Sequence, residues 1–147
     1  MAIKTFTAKS RWAGGLKVDN TVREFTIRMD EPAGLGGEDT GMTPMEAQLS
    51  TLGSCLTIVA AAFAKKYRID LQEFWIELEG DLDPDGYMKG NPDLRKGFQE
   101  IRVIPHIKTS SSEKDVEDFL AFVKSRCPIT DNVSNETKIV TVEPTFI

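Results

Sequence analysis

Residues 43–64 read TPMEAQLSTLGSCLTIVAAAFA and predict one long helix. Thr43 suits the N-cap, Pro44 the first helical position and Glu46 the far half of a capping box. From Met45 to Ala64 the helix is apolar on every face, and its only charge is Glu46. Such a helix is normally buried on all sides, and a chain of 147 residues can hardly enclose one alone. We therefore expect a homodimer in which a second copy covers part of this helix.

The segments on either side of this helix predict an α+β fold. Period-two alternation predicts strands at Lys4–Trp12, Val22–Met29, Phe74–Glu79, Phe98–Lys108 and Ile139–Ile147, and a 3.6-residue period predicts a second helix at Ser110–Cys127. The order is two strands, a helix, two strands, a helix and a strand. This order favours mostly antiparallel sheets with two core helices, in a single domain that spans residues 1–147.

The composition excludes several classes of protein. Of the 147 residues, 40% are hydrophobic and 28% are charged, which suits a folded soluble domain. The net charge of −5, with no basic cluster longer than Lys65-Lys66, disfavours nucleic acid as a partner. We count no apolar run of the roughly 18–20 residues that span a membrane, and Met1–Thr5 does not resemble the start of a signal peptide. We therefore expect a cytoplasmic protein that does not bind a membrane.

The chain has one histidine, His106, and two cysteines, Cys55 and Cys127. They are one ligand short of a closed Cys/His zinc site, so we expect no metal. Two cysteines are also too few for the disulfide framework of a small secreted domain. His106 lies on the polar side of its predicted strand, which is more typical of a solvent-facing histidine than of a catalytic one. The two thiols are therefore the feature that needs an explanation.

Both thiols are predicted to point into the core. Cys55 lies in the middle of the apolar helix, where the simplest interpretation is a small buried hydrophobe. On the second helix an apolar stripe runs from Val116 to Val123, and at about 100° per residue Cys127 returns to within about 20° of it. Two thiols on two core helices can face each other, although the spacing alone leaves their contact open.

A reactive thiol needs a nearby group that stabilises its thiolate. Arg23 is the candidate cation, because strand alternation places it on the side of Phe25; the alternative is that it lies at a strand end and reaches into water. Glu46 could orient such an arginine, or it could act only as a capping residue. Glu46 and Cys55 are about half a turn out of phase and about 13 Å apart on one helix, so they are not expected to touch within one subunit. Contact would run through Arg23 or across a dimer interface.

The chain carries a Gly-Gly loop, then Gly41–Glu46, then Leu52-Gly53-Ser54-Cys55, and it has Cys127-Pro128-Ile129 at the end of a later helix. In this order the motifs resemble the OsmC/Ohr family of peroxide-handling proteins over nearly the whole chain. The resemblance implies an OsmC-like fold in an intertwined homodimer, with the two cysteine helices at its centre. It also implies thiol-dependent reduction of hydroperoxides, preferably organic ones, without a metal or a flavin cofactor.

The resemblance also implies a role for each matching residue. Cys55 matches the peroxidatic cysteine, whose thiolate attacks the peroxide and becomes a sulfenic acid. Cys127 matches the resolving cysteine, which closes a disulfide that an external dithiol, often of lipoyl type, later reduces. Glu46 matches the family's carboxylate, one residue closer to the cysteine than in the organic-hydroperoxide-resistance branch. The family's arginine follows a glycine pair, but Leu16-Lys17 follows that pair here, so Arg23 is a substitute chosen from strand alternation.

Two functions are therefore open. The first is a cytoplasmic homodimeric peroxidase in which Cys55 attacks and Cys127 resolves. The second is a non-catalytic OsmC-like protein that binds a small apolar ligand at the dimer interface and keeps both thiols as core packing. The missing motif arginine and the strongly apolar helix motivate the second.

Overall fold

The computed structural model describes residues 2–147, and it has the expected α+β class with antiparallel sheets. The strands are β1 (Lys9–Trp12), β2 (Val18–Val22), β3 (Phe25–Met29), β4 (Glu73–Asp81) and β5 (Glu100–Lys108), and the helices are α1 (Pro44–Phe63), α2 (Pro84–Tyr87), α3 (Glu113–Arg126) and α4 (Pro128–Ser134). The chain divides into two units, one that ends at Ser50 and one that comprises Thr51–Ile147. Helix α1 is continuous across this boundary.

The first unit contains an antiparallel meander of β1, β2 and β3. Gly14 and Gly15 have φ angles of 92° and 59° in the turn between β1 and β2, a conformation that glycine adopts without strain. The Trp12 indole N–H closes this turn by donating to the Gly15 carbonyl across 2.9 Å. Only the last four residues of the predicted Lys4–Trp12 strand are a strand. Strand β2 was not predicted, because its Val-Asp-Asn-Thr-Val sequence is too polar to show apolar alternation.

Arg23 lies in the turn between β2 and β3 rather than in a strand. Val22 pairs with Phe25, which leaves a two-residue turn, and Arg23 supplies the positive φ, 55°, that such a turn needs. Because Arg23 lies in a turn, strand alternation does not predict the direction of its side chain. The prediction that the Arg23 side chain points to the apolar side of the strand is therefore wrong. The exposed guanidinium lies 4.9 Å from the centre of the Phe25 ring.

A buried carboxylate organises the glycine-rich loop that follows β3. Asp30 is 1% exposed and accepts hydrogen bonds from the backbone N–H groups of Glu31, Glu38 and Thr40 and from the Thr40 hydroxyl, at 2.8–3.2 Å. Burial raises the pKa of Asp30, but these hydrogen bonds, led by those from Thr40, outweigh burial and lower the pKa to about 2. The loop passes so close to itself that a Cβ at Gly37 would lie 1.8 Å from the Glu31 carbonyl oxygen.

Helix α1 begins with the predicted capping box. The Thr43 backbone N–H donates to Glu46 Oε2 across 2.7 Å, and the Glu46 backbone N–H donates to Thr43 Oγ1 across 3.2 Å. These two bonds satisfy donors that have no partner inside the helix. The sequence therefore predicted the start of α1 correctly to the residue.

The helix is apolar on all sides but is covered on only one. In the second unit Leu52, Leu56 and Ala60 form its buried side, whereas Ile58 is 67% exposed. By length and composition alone α1 could cross a membrane, which differs from the expectation that no segment is apolar enough. A core helix of a soluble protein meets the same criteria, and the Leu52 side packs as a core helix does.

The core of the second unit lies where α1, α3 and the β4–β5 sheet meet. The two strands pair antiparallel with Phe74 opposite Ile107, and the apolar side of the sheet packs against the helices, as predicted. Phe119 and Val123, on the predicted stripe of α3, are 1% and 2% exposed. His106 lies on the opposite side of the sheet, where its ring stacks on that of Trp75 with 4.8 Å between ring centres.

The expected last strand, Ile139–Ile147, is not a strand in this structure. The segment is exposed throughout, and Ile139, Val142 and Phe146 are 89%, 81% and 91% accessible to solvent. A strand needs a neighbouring strand to accept and donate its backbone hydrogen bonds, and within residues 2–147 this segment pairs with none. The prediction of a strand here, made from alternation alone, is wrong for the single chain.

Candidate functional site

The structure brings the two cysteines together in the second unit. Cys55 lies on α1, and Cys127 lies at the junction where α3 ends and α4 begins. Both are free thiols, and each lies close enough to the other to move its pKa. Cys127 belongs to the buried core, and Cys55 packs against that core. Sequence spacing left this contact open, and the packing of α1 against α3 creates it.

Cys127 is held by the chain that follows it. It is the N-cap of α4, and its Sγ accepts a hydrogen bond from the backbone N–H of Thr130 across 3.3 Å. The Thr130 hydroxyl oxygen is buried and, within residues 2–147, has no hydrogen-bond partner. Pro128 occupies the first helical position, where its missing N–H costs nothing.

The surroundings move the pKa values of the two thiols in opposite directions. Burial raises the pKa of Cys55, and the hydrogen bond that it donates to Cys127 raises it further. Burial alone would raise the pKa of Cys127, but hydrogen bonds from Cys55, Thr130 and Ile129 together lower it. The pair therefore favours a single negative charge on Cys127, stabilised by neutral donors.

The sequence analysis misses Thr130, although its position carries a signal. A cysteine directly before a proline that opens a helix is placed at the N-cap, and an N-cap side chain accepts from the residue two or three positions after it. Thr130 stands three positions after Cys127. Its backbone contact could therefore have been predicted, whereas the buried hydroxyl depends on the core around it.

The two predicted supporting residues have other contacts in the structure. Glu46 lies in the first turn of α1, where its carboxylate accepts from the Thr43 backbone N–H in the capping box. Arg23 lies in the β2–β3 turn with its guanidinium over the Phe25 ring. The described residues, 2–147, contain no cluster of three or more histidine, cysteine or acidic side chains arranged to hold a metal ion.

Two cavities lie in the second unit, and Thr130 lines both of them. The larger has a volume of about 510 Å³, and its lining includes Leu52, Leu56, Ile76 and Val103 together with Thr130. The smaller, of about 320 Å³, is lined by Cys127 and Thr130 and by polar residues such as Lys124 and Asp131. Thr130 therefore lines both an apolar cavity and a polar one, next to the Cys127 sulfur that its backbone N–H contacts.

The sequence matches a known family over most of its length. The family model described as OsmC-like protein matches residues 36–142. The hydroperoxide reductase of Mycoplasma genitalium is 30% identical over 89 residues, which cover 60% of this chain and 59% of that protein, less than two thirds of its length. The hydroperoxide reductase of Mycoplasma pneumoniae is 26% identical over 102 residues, 67% of each chain.

Solved structures share the fold. The crystal structure of an OsmC-like protein from Mycoplasma pneumoniae superposes with a TM-score of 0.79 at 22% identity, over 89% of this chain and 88% of that one. The organic hydroperoxide resistance protein OsmC from Legionella pneumophila gives a TM-score of 0.67 at 21% identity, over 90% and 91% of the two chains. At these identities the likeness establishes the fold.

Proposed function

Because the chain belongs to the OsmC-like protein family, we propose that it is a cytoplasmic, thiol-dependent peroxidase that reduces organic hydroperoxides as a homodimer. The observation that carries the proposal is that Cys55 and Cys127 are free thiols side by side in one core. Two neighbouring thiols can be oxidised to a disulfide without a large rearrangement of the core. The relatives named hydroperoxide reductase support the same reaction class.

The reaction proceeds in two steps. The Cys55 thiolate attacks the distal oxygen of the hydroperoxide, the O–O bond breaks, and the alkoxide takes up a proton and leaves as an alcohol, so that Cys55 becomes a sulfenic acid. The Cys127 thiolate then attacks the sulfur of Cys55, the S–O bond breaks, and hydroxide takes up a proton and leaves as water. The peroxide gains two electrons and the two thiols lose two.

The first step requires that Cys55 lose its proton. Burial holds the pKa of Cys55 high, so the protonated thiol is a poor nucleophile by itself. The lowered pKa of Cys127 makes its thiolate a weak base, so the proton of Cys55 goes to solvent, and the departing alkoxide takes up a proton in turn. Cys127 thereby stays a thiolate for the second step. Arg23 and Glu46 stay predicted supporting residues, and these steps do not depend on them.

The larger cavity supports an organic rather than an inorganic peroxide. Its walls are mostly apolar, and a volume of about 510 Å³ admits an alkyl or aryl group beside Thr130, whose backbone N–H contacts the sulfur of Cys127. Hydrogen peroxide would gain nothing from these walls, whereas a hydrocarbon chain is removed from water when it enters. We propose no bound cofactor, and the reductant is an external dithiol, for example of lipoyl type.

The homodimer is proposed from surfaces that the single chain leaves open. Ile58 on α1 is 67% exposed, and the apolar side chains of the segment 139–147 are also exposed. Single exposed apolar residues are common on protein surfaces. A core helix with one apolar side exposed, together with an extended segment that pairs with no strand, indicates that another chain binds there. A second copy of this chain would bury the open side of α1 and could pair with segment 139–147.

The test is consumption of cumene hydroperoxide with dithiothreitol as the reductant. Cys55→Ser should abolish turnover, and Cys127→Ser, mixed with peroxide before any dithiothreitol is added, should consume one equivalent and stop at the sulfenic acid. Ser54→Ala changes the exposed residue next to Cys55 and serves as the matched control that retains activity. Full activity in Cys55→Ser would refute the proposal.

The apolar cavity also favours the second candidate, a protein that binds a small apolar ligand and keeps both thiols as packing. Thiol titration after one equivalent of peroxide separates the two functions. Rapid loss of both thiols, with an intramolecular disulfide found by mass spectrometry, supports the peroxidase. Two reduced thiols that react only slowly support the binding protein.

A further inference from the structure

Helix α4 forms one wall of both cavities in the second unit. Thr130, Val133 and Ser134 line the larger cavity, and Thr130, Asp131 and Ser134 line the smaller one. Cys127 also borders the smaller cavity, but it is only 2% exposed, so a reductant meets a nearly closed surface there. Loosening of α4 would therefore widen both cavities and uncover this sulfur.

Few interactions hold α4 in place. It has seven residues, fewer than the roughly 12–15 that make an isolated helix even marginally stable in water. Within residues 2–147, Ile129 is the only residue of α4 that packs against the hydrophobic core of the unit. The Asn135 side chain bonds to Asp131 at the end of the helix. At its start, the side-chain cap is the Cys127 sulfur, which accepts the Thr130 backbone N–H across 3.3 Å.

Oxidation changes the chemistry of this cap. Burial raises the pKa of Cys127, but hydrogen bonds to its sulfur lower it on balance, so the reduced pair favours a thiolate there. A thiolate is a charged acceptor, and charge-assisted hydrogen bonds are about twice as strong as neutral ones. In a disulfide the same sulfur is neutral and is only a weak acceptor. The start of α4 therefore loses most of its side-chain cap when the pair is oxidised.

We propose that formation of the Cys55–Cys127 disulfide uncaps α4, and that the loosened helix opens both cavities in the oxidised chain. The alcohol then leaves the larger cavity, and the external dithiol reaches the disulfide. The inference rests on the proposed peroxidase cycle, because the disulfide is the product of that cycle. The two thiols lose two electrons and two protons when the disulfide forms. The dithiol returns both, and the cap on α4 forms again.

Amide hydrogen exchange in the full chain, followed residue by residue by NMR, tests the opening of α4. Diamide takes two electrons and two protons from the thiols, so it forms the disulfide without peroxidase activity. Amides 131–135 should exchange about fivefold faster in the oxidised chain, the effect of losing an N-cap side chain. The amides of Leu56 on α1 and Val123 on α3 should not exchange faster. Unchanged exchange in α4, or an equal acceleration in all three helices, would overturn the inference.

Cys127→Ser and Cys127→Ala test the cap without an oxidant, because neither variant can form the disulfide. The serine hydroxyl is a strong N-cap acceptor, whereas alanine has none. Amides 131–135 should exchange about fivefold faster in the alanine variant, and equal exchange would show that the side chain at 127 does not hold α4. If mass spectrometry finds no intramolecular disulfide after diamide treatment of the parent, the two-cysteine cycle fails and this inference fails with it. If the disulfide forms and α4 stays closed, only this inference fails.

A matched pair of variants at Asn132 tests whether the opening of α4 admits the reductant. Asn132 lies in α4 and lines neither cavity, and both substitutions remove its contact with the Thr137 hydroxyl. Asn132→Gly loosens the helix, whereas Asn132→Ala favours it by about 1 kcal/mol relative to glycine, which is about a fivefold change in opening. After oxidation by diamide, dithiothreitol should reduce the glycine variant about fivefold faster than the alanine variant. Equal rates would show that the dithiol reaches the disulfide while α4 is closed, and would exclude this role of α4.

Discussion

Cys55 and Cys127 lie next to each other as free thiols in the core of the second unit, although Cys55 is on α1 and Cys127 is at the distant junction of α3 and α4. Their proximity makes the two thiols one titrating unit, in which the first proton lost leaves a charge that favours Cys127. This relationship underlies the proposed peroxide reduction.

The first prediction concerns the order in which the thiols ionise. Cys55→Ser leaves Cys127 with its donors from Thr130, and Cys127→Ser leaves Cys55 with the raised pKa that burial causes. The thiolate absorbance near 240 nm should therefore appear at lower pH in Cys55→Ser than in Cys127→Ser. The reverse order would show that a group other than Thr130 controls the charge of the pair.

The second prediction concerns stability in acid. The pKa of Asp30 is about 2 in the folded chain and 3.8 in the reference state, so its contribution to stability is present above about pH 4 and is lost as the pH falls toward 2. Asp30→Asn removes the charge, and its free energy of unfolding should therefore change less than that of the parent between pH 4 and pH 2. Urea unfolding at several pH values in this range measures the difference.

Asp39→Asn is the control for that experiment, because Asp39 lies in the same loop with its side chain exposed. It should retain the pH dependence of the parent. If Asp30→Asn loses stability in acid as steeply as the parent does, then Asp30 is not the group responsible.

The third prediction concerns the core beneath the thiols. Phe119 on α3 is 1% exposed, so Phe119→Ala should lower the free energy of unfolding by about 3–5 kcal/mol through lost burial and a residual cavity. Phe119→Leu refills part of the space and should cost about 1–2 kcal/mol. Chemical denaturation gives both values. Equal losses for the two variants would contradict a cavity as the cause.

The fourth prediction separates the capping role of Glu46 from its charge. Glu46→Gln keeps a side-chain oxygen that can accept the Thr43 N–H, whereas Glu46→Ala removes it. We expect the alanine variant to lose about 1 kcal/mol of unfolding free energy and the glutamine variant to lose less than half of that. Peroxidase activity measured on both variants tests the other predicted role. A large loss of activity in the stable glutamine variant would show that the carboxylate charge also acts in the reaction.

The fifth prediction concerns assembly. Ile58→Asp places a charge on the open side of α1, where Ile58 is 67% exposed, and should convert a dimer into a monomer in sedimentation or light-scattering measurements. Met88→Asp is the matched control, because Met88 is a 60% exposed apolar residue outside α1. A dimer that persists in Ile58→Asp would place the interface elsewhere.

Several features of the fold could be predicted because they depend on residues close together in the chain. The capping box between Thr43 and Glu46, and the alternation that forms β4, involve neighbours within a few positions. The inward position of Cys127 follows from the regular turn of α3. The α+β class followed from the order of these elements.

Other features depend on contacts that no local pattern records. Alternation predicted a strand at Ile139–Ile147 and an inward Arg23, but a strand forms only beside a partner, and Arg23 occupies the turn that joins β2 to β3. The burial and hydrogen bonding of the Asp30 carboxylate likewise depend on Glu38 and Thr40, which the loop brings back to it.

The sequence by itself determined where α1 begins, which residues are apolar on each element, and that two thiols are the candidate chemistry. Only the tertiary structure decided that Cys55 and Cys127 are neighbours in one core, and that the Thr130 backbone N–H contacts the sulfur of Cys127. The physical reason is the distance along the chain over which each interaction acts. Capping and periodicity act over one or two turns of chain, whereas the surroundings that set the pKa of a thiol come from distant segments that packing brings together.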